Sequence, residues 1–356
     1  MRKLKVGIIG STGMVGQRFV SLLSEHPWFD IEVLAASRRS AGKRYADLIG
    51  DIWRQSERLP EYIGDMIVRD AADINGIAEA IDFAFCAVNM DKKEVRELEN
   101  SFAMAECPII SNNSAHRLTP DVPMIVPELN ASHAEVIEFQ RKRLHTKRGF
   151  IAVKSNCSLQ SYLPLLFPLR ERWGLREAYV TTMQAVSGAG RRLETYPEIH
   201  DNVIPCIPGE EDKSEIEPRK ILGHIENGEI VLSDSVAIHA QCTRVPISDG
   251  HMASVFALFD QKPSIEEVKQ AWEGFGKLDL PSAPEQFIAI HDEADRPQTR
   301  LDRDAGNGMS ISVGRLKYCS ENCLSFVGLS HNTVRGAAGG AVLLAEQLVK
   351  EGYIEP

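Results

Sequence analysis

Short apolar runs alternate with amphipathic helical patterns in the N-terminal part of the chain. Leu4 to Ile9 and Ile31 to Ala36 predict buried strands, and Met14 to Leu23 between them predicts a helix. Further apolar runs follow at Met66 to Val68, Phe83 to Val88, Ile109 to Ser111 and Met124 to Val126. Because strands alternate with helices, we expect an α/β fold that begins with a doubly wound parallel sheet.

The pattern changes after Ile151 to Lys154. Longer β-rich segments follow at Tyr179 to Ala185, Met252 to Phe259, Ile311 to Leu316 and Leu324 to Leu329. They predict a second domain of α+β type. The Ala- and Leu-rich stretch from Thr333 to Glu351 predicts a helix that returns to the first domain. We therefore expect a first domain of residues 1–154 plus 332–356, and a second domain of residues 155–331.

Two segments of the second domain carry predictions about its surface. Asp292 to Gly308 is rich in Asp, Arg and Gly, which predicts a long surface loop. Tyr162 to Leu169, together with the β-rich segments, is too apolar for a free surface. We therefore expect the chain to associate with copies of itself.

Composition and charge argue against several classes of protein. The chain has 356 residues, 43% hydrophobic, with a formal net charge of -10, which argues against a nucleic-acid-binding surface. The first apolar run, Val6 to Ile9, is too short for a signal peptide, and no run is long enough to span a membrane. The seven cysteines are scattered, which favours a reducing, cytoplasmic setting. Cys319 and Cys323 lack the further ligands of a zinc site, so we expect no metal.

A glycine-rich loop separates the first predicted strand from the first predicted helix. It reads Gly10, Ser11, Thr12, Gly13, Met14, Val15 and Gly16. Glycines allow a tight turn and a close backbone approach, and the amide groups at the start of the helix can bind a pyrophosphate. The context of strand, loop and helix predicts a Rossmann-type dinucleotide-binding site.

The end of the second strand indicates which dinucleotide binds. An NAD site usually carries Asp or Glu there, but this chain continues as Ser37, Arg38, Arg39 and Ser40. Cations and hydroxyl groups suit a 2′-phosphate, so the sequence predicts NADP. The alternative is that both arginines lie in a solvated loop.

Cys157 lies between a predicted strand and the predicted helix from Leu159 to Arg172. At a helix N-terminus the dipole and the free amide groups favour a thiolate over a thiol, whose ordinary pKa is about 8.5. Cys157 is therefore the predicted nucleophile. The other six cysteines are expected to be small buried hydrophobic residues.

Around Cys157 the chain resembles the aspartate-semialdehyde dehydrogenase family, in its archaeal and fungal branch. The similarity runs over nearly the whole length, in the glycine loop and at residues 36–43, 111–117, 126–130, 155–158, 184–190, 209–213, 244–246, 250–251 and 332–336. The resemblance implies that a cysteine attacks β-aspartyl phosphate, that phosphate leaves, and that NADPH delivers a hydride to the thioester. It also implies a homodimer or homotetramer.

The resemblance assigns roles to individual residues. Cys157 matches the nucleophile, and His251 matches the acid/base, for which an ordinary pKa near 6.5 is suited. Gln184 matches the residue that orients the acyl group, and its amide can donate to a developing oxyanion. Arg244 matches the residue that binds the substrate α-carboxylate, and Glu210 the one that holds the amino group.

The remaining matches concern phosphate and cofactor. Lys213 and Arg117 match the cations of the phosphate site, with Asn113 and Asn156 alongside. The predicted cofactor contacts beyond the loop and the arginines are Ser187, Gly188 and Asn332. The chain departs from the family pattern beside the nucleophile, because Ser155 replaces the usual Pro and Leu159 the usual Thr, which leaves Gln160 and Tyr162 as unfamiliar neighbours.

Two other functions remain open at this point. Malonyl-CoA reductase uses the same thioester chemistry and resembles this chain in some segments, although Glu210 to Lys213 suits an amino group and a phosphate better. A non-catalytic NADP-binding regulatory module is the alternative from another class. Such a module would have no need of all four of these residues together: Cys157, Gln184, Arg244 and His251.

Overall fold

The first sheet begins the chain and is entirely parallel. The computed structural model describes residues 2–53, 55 and 58–355. The elements of this part are β1 (Leu4–Ile9), α1 (Met14–Leu23), β2 (Phe29–Ala36), α2 (Tyr45–Ile49), α3 (Glu61–Gly64), β3 (Arg69–Asp70), α4 (Ile74–Ala80), β4 (Phe83–Cys86), α5 (Lys92–Met104), β5 (Ile109–Ser111), α6 (Pro127–Asn130), α7 (Ile137–Leu144) and β6 (Ile151–Val153). The strand order β3-β2-β1-β4-β5-β6 is that of a doubly wound sheet, which confirms the predicted fold class.

Two of the predicted strands differ from the structure. Met66 to Val68 precedes β3, and Ile67 makes only an isolated bridge to Arg44. In Met124 to Val126, only Met124 pairs, by one bridge to Val153, the last residue of β6. Val68 and the whole of Met124 to Val126 are buried in the core, which does not require a strand ladder, whereas Ile67 is 55% exposed.

The second domain is built on a mixed sheet. Its elements are α8 (Leu163–Trp173), β7 (Leu175–Gln184), α9 (Glu210–Ile221), β8 (His224–Glu226), β9 (Glu229–Val231), β10 (Ala237–Arg244), β11 (His251–Phe259), α10 (Ile265–Glu273), β12 (Ile288–Ile290), α11 (Thr299–Asp302), β13 (Ile311–Ser320) and β14 (Cys323–Ser330). Six of the strands form a sheet in the order β10-β7-β11-β14-β13-β12, and β8 pairs with β9 alone. One face of the large sheet packs on α8 and α10.

The last helix, α12 (Gly339–Lys350), packs on the first sheet. Ala341, Leu344 and Leu348 share a buried cluster with Leu4 and Val6 of β1. The predicted helix began at Thr333, but residues 334–338 form one wide π-helical turn in which Ala337 leaves helical geometry. This turn lies next to the cysteine segment and bends the chain around it.

Three further predictions for the second domain are corrected. Tyr162 to Leu169 belongs largely to the core of the chain itself, so its apolar character is no argument for association. The helix expected from Leu159 starts at Leu163, after a separate short turn over Ser158–Ser161. The expected loop from Asp292 to Gly308 contains α11 and a 3-10 turn. Buried Asp302 stabilises this segment by accepting hydrogen bonds from Arg296 and from the Gln298 amide.

The part of the chain that the structure describes contains no helix long and apolar enough to cross a membrane. In the same residues no group of three or more His, Cys, Asp or Glu side chains could hold a metal ion.

Candidate active site

The glycine loop is closed tightly against the first sheet. Gly10 has a φ of 94°, and a Cβ there would lie 2.4 Å from the carbonyl oxygen of Ala87. A Cβ on Gly16 would lie 2.2 Å from the carbonyl oxygen of Gly10, so α1 packs directly on the turn. Among the described residues, no side chain caps the start of α1, whose N-cap is Gly13. The loop therefore has the close approach, and α1 the uncapped N-terminus, that a pyrophosphate requires.

A cleft of about 480 Å³ opens in front of this loop. Its walls are Thr12 to Val15 from the first domain and Ser187 to Gly190 from the second. The cleft shares Met14, Asn113 and Gly188 with a second cavity of about 490 Å³, which contains Cys157. A dinucleotide bound on the loop would thus extend towards the cysteine.

The predicted selector residues lie at the carboxyl end of β2. Arg38 and Arg39 are exposed in a turn closed by a 2.8 Å hydrogen bond from the Ser40 amide to the Ser37 carbonyl. The neighbouring Ser11 amide donates to the carbonyl oxygen of Ala35 in β2. The arginines therefore follow the strand that holds the loop, and their exposed side chains are accessible to an anion.

Strand register brings three predicted residues into one row. Arg244, at the end of β10, pairs directly with Gln184 at the end of β7. Met252 of β11 pairs with Met183 of the antiparallel strand β7. His251, the residue before Met252, therefore lies opposite Gln184, the residue after Met183. Residues far apart in sequence therefore meet at one end of the sheet, next to the cysteine.

Arg244 and His251 converge on Gly188. A Cβ on Gly188 would lie 2.9 Å from Nη1 of Arg244 and 3.0 Å from Nε2 of His251. Arg244 also donates from Nη1 to the carbonyl oxygen of Ala185 at 2.7 Å and is 5% exposed. A side chain at position 188 would fill the space in front of both groups, which gives a physical reason for glycine there.

The hydrogen bonds of His251 define its tautomer. The main-chain N–H of Ala185 donates to Nδ1 at 3.1 Å, so Nδ1 accepts and the proton lies on Nε2. Nε2 is buried and has no partner among the described residues. Burial, with Arg244 as the next cause, lowers the pKa of His251 to about 3. The ring is therefore neutral near pH 7 and has a free N–H donor.

Cys157 lies in the cavity wall beside the π-helical turn. A Cβ on Gly336 would come within 2.9 Å of the cysteine Cβ, so glycine allows the turn to pack on the nucleophile. The sequence predicted a thiolate favoured by a helix, but only the short turn after Cys157 begins here. Burial, with Glu210 second, raises the pKa of the thiol, whereas Lys154, Arg117 and Arg244 oppose that rise.

Glu210 organises the polar side of the cavity. Its carboxylate accepts from Nζ of Lys213 at 2.5 Å, from Nδ2 of Asn156 at 2.9 Å and from Nε2 of Gln184 at 3.4 Å. Burial acts to raise the pKa of Glu210, but Lys213 and these hydrogen bonds outweigh it and lower that pKa. A buried, ionised carboxylate with a cation beside it is thus ready to meet a charged substrate.

The amide hydrogens of Gln184 are already in use. Besides the long contact with Glu210, Nε2 donates to Oγ1 of Thr182 at 3.2 Å. The predicted donation from Gln184 to an oxyanion would require this side chain to exchange a partner. The free N–H of His251 needs no such exchange.

The two predicted asparagines also have partners. Asn113 donates from Nδ2 to Oε1 of Glu99 at 3.0 Å, and Ser111 donates to the same oxygen at 2.5 Å. Asn156 accepts from the amide of Ser158 at 2.8 Å through Oδ1. Both asparagines border the cavity, and their assignment to substrate stays a prediction.

The C-terminal segment connects the cofactor side to the histidine. Asn332 donates from Nδ2 to Oγ of Ser187 at 2.8 Å and accepts from the amide of Gly250, the residue before His251, at 2.8 Å. Asn332 and Ser187 both border the cavity. Their predicted cofactor contacts stay predictions, but the two side chains fix the cleft wall.

Gln160 and Tyr162, the unfamiliar residues beside the nucleophile, each have buried hydrogen-bond partners. Gln160 donates from Nε2 to Oγ of Ser155 at 3.0 Å and accepts from Nε of Arg335 at 2.9 Å. Arg335 makes a bidentate pair with buried Glu128, at 2.6 and 2.5 Å. Tyr162 donates to the carbonyl oxygen of Ser214 at 3.1 Å. Ser155 and Gln160 are therefore parts of one buried network behind Cys157, whereas Tyr162 bonds separately to α9.

Sequence reasoning missed a buried polar stripe on α9. Glu210, Ser214, Glu217 and Lys220 repeat at helical spacing, and each is at most 8% exposed. Such charges usually mark a solvated helix face, but here Glu217 and Lys220 contact the first domain, and Glu210 and Ser214 bond within the second. Their spacing of three to four residues was the available signal.

Comparison with known proteins agrees with this geometry. The semialdehyde dehydrogenase NAD-binding domain matches residues 5–137, and the semialdehyde dehydrogenase dimerisation domain matches residues 166–335. The aspartate-semialdehyde dehydrogenase of Archaeoglobus fulgidus is 44% identical over 354 residues, which cover 99% of this chain and 100% of that protein. That of Aspergillus fumigatus is 42% identical, covering 99% of each.

A solved structure shares the fold over the whole chain. The crystal structure of aspartate-semialdehyde dehydrogenase with NADP from Candida albicans superposes with a TM-score of 0.88, at 40% identity, covering 99% of this chain and 100% of that one. Sequence and fold agree along the full length. This chain belongs to the aspartate-semialdehyde dehydrogenase family.

Proposed function

We propose that the protein reduces L-aspartyl 4-phosphate with NADPH, giving L-aspartate 4-semialdehyde and phosphate, in the biosynthesis of lysine, methionine and threonine. The observation that carries this proposal is the convergence of Cys157, Gln184, Arg244 and Glu210 on one cavity that continues into the cleft of the glycine loop. The curated relatives that cover the whole chain are named for this activity.

The charges of the cavity suit each part of this substrate. The planar guanidinium of Arg244 can bind the α-carboxylate, and the ionised Glu210 can hold the ammonium group. Lys213 and Arg117 border the same cavity and suit the phosphate. Asn113 and Asn156 lie alongside these two cations. The carbonyl carbon between these three groups would face Cys157.

The reaction follows from this placement. The sulfur of Cys157 bonds to the acyl carbon, phosphate leaves with the electrons of the broken C–O bond and takes up the thiol proton, and a thioester results. NADPH, when bound, would supply the hydride that reduces it. Breaking the C–S bond then releases the aldehyde and a thiolate, which a proton from solvent returns to the thiol.

His251 takes a narrower role than the family resemblance suggested. In its present tautomer it can donate a hydrogen bond from Nε2 but cannot accept a proton there. We therefore assign it to stabilising the negative charge that develops on the acyl oxygen. Gln184 then positions Glu210 and, through it, the substrate amino group.

NADP fits the first domain as the cofactor. The glycine loop packs on the uncapped start of α1, and Arg38 and Arg39, exposed after β2, would pair with a 2′-phosphate. Ser187, Gly188 and Asn332 form the wall opposite. We keep the proposed division into residues 1–154 with 332–356, and 155–331, because α12 packs on the first sheet.

We also propose that the protein works as a homodimer or homotetramer in the cytoplasm. The family match of residues 166–335 is a dimerisation domain. On the sheet face away from α8, Tyr179 and Phe256 are cross-strand neighbours and are 48% and 44% exposed. Paired exposed aromatic residues are typical of interface cores.

Malonyl-CoA reductase is the alternative that shares this chemistry. The test compares phosphate- and NADP-dependent oxidation of L-aspartate 4-semialdehyde with NADPH-dependent reduction of malonyl-CoA. We expect only the first reaction, and we expect Cys157→Ser to abolish it while NADPH still binds. Activity confined to malonyl-CoA would overturn the proposal, as would catalysis that survives in Cys157→Ser. Glu210→Gln separates the two substrates again, because malonyl-CoA has no amino group.

A further inference from the structure

One buried carboxylate joins the predicted phosphate site to the nucleophile segment. Glu217, on α9, is 2% exposed. Its Oε1 accepts a hydrogen bond from Nη1 of Arg117 at 2.9 Å, and its Oε2 accepts from the main-chain N–H of Asn156 at 2.6 Å. Asn156 directly precedes Cys157. No part of the proposed mechanism has so far used this group.

Arg117 is held on three sides. Besides Glu217, it donates from Nε to the carbonyl oxygen of Lys154 at 3.0 Å and from Nη2 to that of Asn112 at 3.3 Å. It is 7% exposed, and it borders the cavity that contains Cys157. The fixed contacts leave the guanidinium a single orientation, and its remaining N–H groups are those that an anion in the cavity can use.

The helix α9 holds Asn156 by its side chain and by its main-chain N–H. Glu210, two turns before Glu217 on α9, accepts from the Asn156 side chain at 2.9 Å, and Glu217 accepts from its main chain. The helix therefore fixes the main chain immediately before the cysteine through two carboxylates. Both carboxylates belong to the second domain, whereas Arg117 follows β5 of the first.

We infer that Glu217 is a positioning residue that sets the affinity for the phosphate group by holding Arg117 and the Cys157 segment in one arrangement. This inference rests on the proposed function, in which phosphate is the leaving group. If charge alone mattered, removing the Glu217 carboxylate would strengthen phosphate binding, because an anion near the site repels phosphate. The geometry favours positioning, because a cation that is displaced from the cavity cannot bind the anion at all.

The side chain at position 217 needs two acceptors. A glutamine offers one acceptor oxygen, and its amino group would meet either Arg117 or the Asn156 N–H, both of which are donors. Glu217→Gln therefore leaves one of the two partners without its hydrogen bond. Glu217→Asp keeps the charge, but its side chain is one methylene shorter and cannot reach both partners.

The experiment measures phosphate binding in two independent ways. The first is the KM for inorganic phosphate in the NADP-dependent oxidation of L-aspartate 4-semialdehyde. The second needs no turnover: inorganic phosphate is titrated against the alkylation of Cys157 by iodoacetamide, followed on the Cys157 peptide by mass spectrometry. We expect Glu217→Gln to weaken phosphate binding at least tenfold in both, while NADP affinity stays within twofold.

Asp212→Asn is the matched control, because Asp212 is an exposed carboxylate on the same helix, and it should leave both values within twofold. Phosphate affinity that is unchanged or tighter in Glu217→Gln would overturn the inference. If that variant does not fold, Glu217→Asp decides, with a weaker loss expected in the same direction. If the wild-type protein shows no oxidation, the proposed function fails, and the alkylation measurement still tests Glu217.

Discussion

The main-chain amide of Ala185 donates to Nδ1 of His251 and thereby determines which nitrogen of the ring carries the proton. An amide N–H can only donate, so the proton lies on Nε2, which points into the space next to Arg244. The ring is buried, and its lowered pKa, about 3, keeps it neutral in any ordinary buffer. A neutral imidazole of this tautomer is a hydrogen-bond donor.

The first prediction tests that tautomer. His251→Phe should lower kcat by roughly 100- to 1000-fold, the usual effect of losing one oxyanion donor. His251→Asn, which can still donate, should retain more activity. Because the pKa of His251 is about 3, the profile of kcat/KM between pH 5 and 9 should show no ionisation from this residue. A ring ¹⁵N NMR spectrum that places the proton on Nδ1 at pH 7 would contradict the assignment.

A second prediction concerns the contact between Ser155 and Gln160. Gln160→Ala leaves Nε of Arg335 and Oγ of Ser155 without this partner, and should cost about 1 to 3 kcal/mol of unfolding free energy. Because the two side chains interact, the cost of Ser155→Ala should depend on whether Gln160 is present.

Chemical denaturation of the two single variants and the double variant measures that dependence. Gln241→Ala is the control, because Gln241 is exposed on β10. Strictly additive effects of Ser155→Ala and Gln160→Ala would show that the two departures from the family pattern are independent.

The third prediction addresses cofactor selection. Replacing both Arg38 and Arg39 by Ala should raise the KM for NADP far more than the KM for NAD, because only NADP has a 2′-phosphate to pair with them. Lys92→Ala, a change of another exposed cation at the start of α5, should alter neither. Equal increases for both cofactors would remove the arginines as selectors.

The fourth prediction follows from the buried Lys154. Burial, with Arg117 second, lowers its pKa from 10.5 to about 7. Between these two values the unfolded chain binds more protons than the folded one, so this lysine makes stability rise with pH, by up to about 1.4 kcal/mol per pH unit. Below pH 7 both states are protonated, so the slope disappears and the full penalty for burying the charged lysine remains.

Lys154→Met removes this group while keeping its length. The gain in melting temperature of the variant over wild type should therefore be largest near pH 6 and should shrink towards pH 9. Scanning calorimetry at pH 6, 7.5 and 9 provides the measurement. A difference that is constant across this range would show that Lys154 does not titrate as its burial requires.

The local features of this protein could be predicted from its sequence. β1, α1 and β5 have the predicted bounds, because a strand or helix with one buried side repeats its apolar residues with its own period. The glycine loop was equally visible, since close backbone approach excludes every side chain. Cys157 was identified by its family motif. These signals lie within a few neighbouring residues.

Only the tertiary structure decided the electrostatics of the site. The sequence predicted a thiolate at Cys157 and an acid/base role for His251, and it did not predict that Glu217 is buried. In the structure, burial raises the pKa of the thiol, Nδ1 of His251 accepts a main-chain hydrogen bond, and Glu210 and Glu217 are both buried. Burial and hydrogen-bond partners come from strands and helices distant in sequence, and they set the charge and direction of each group. The sequence specifies which groups are present, and their environment in the folded chain determines what those groups can do.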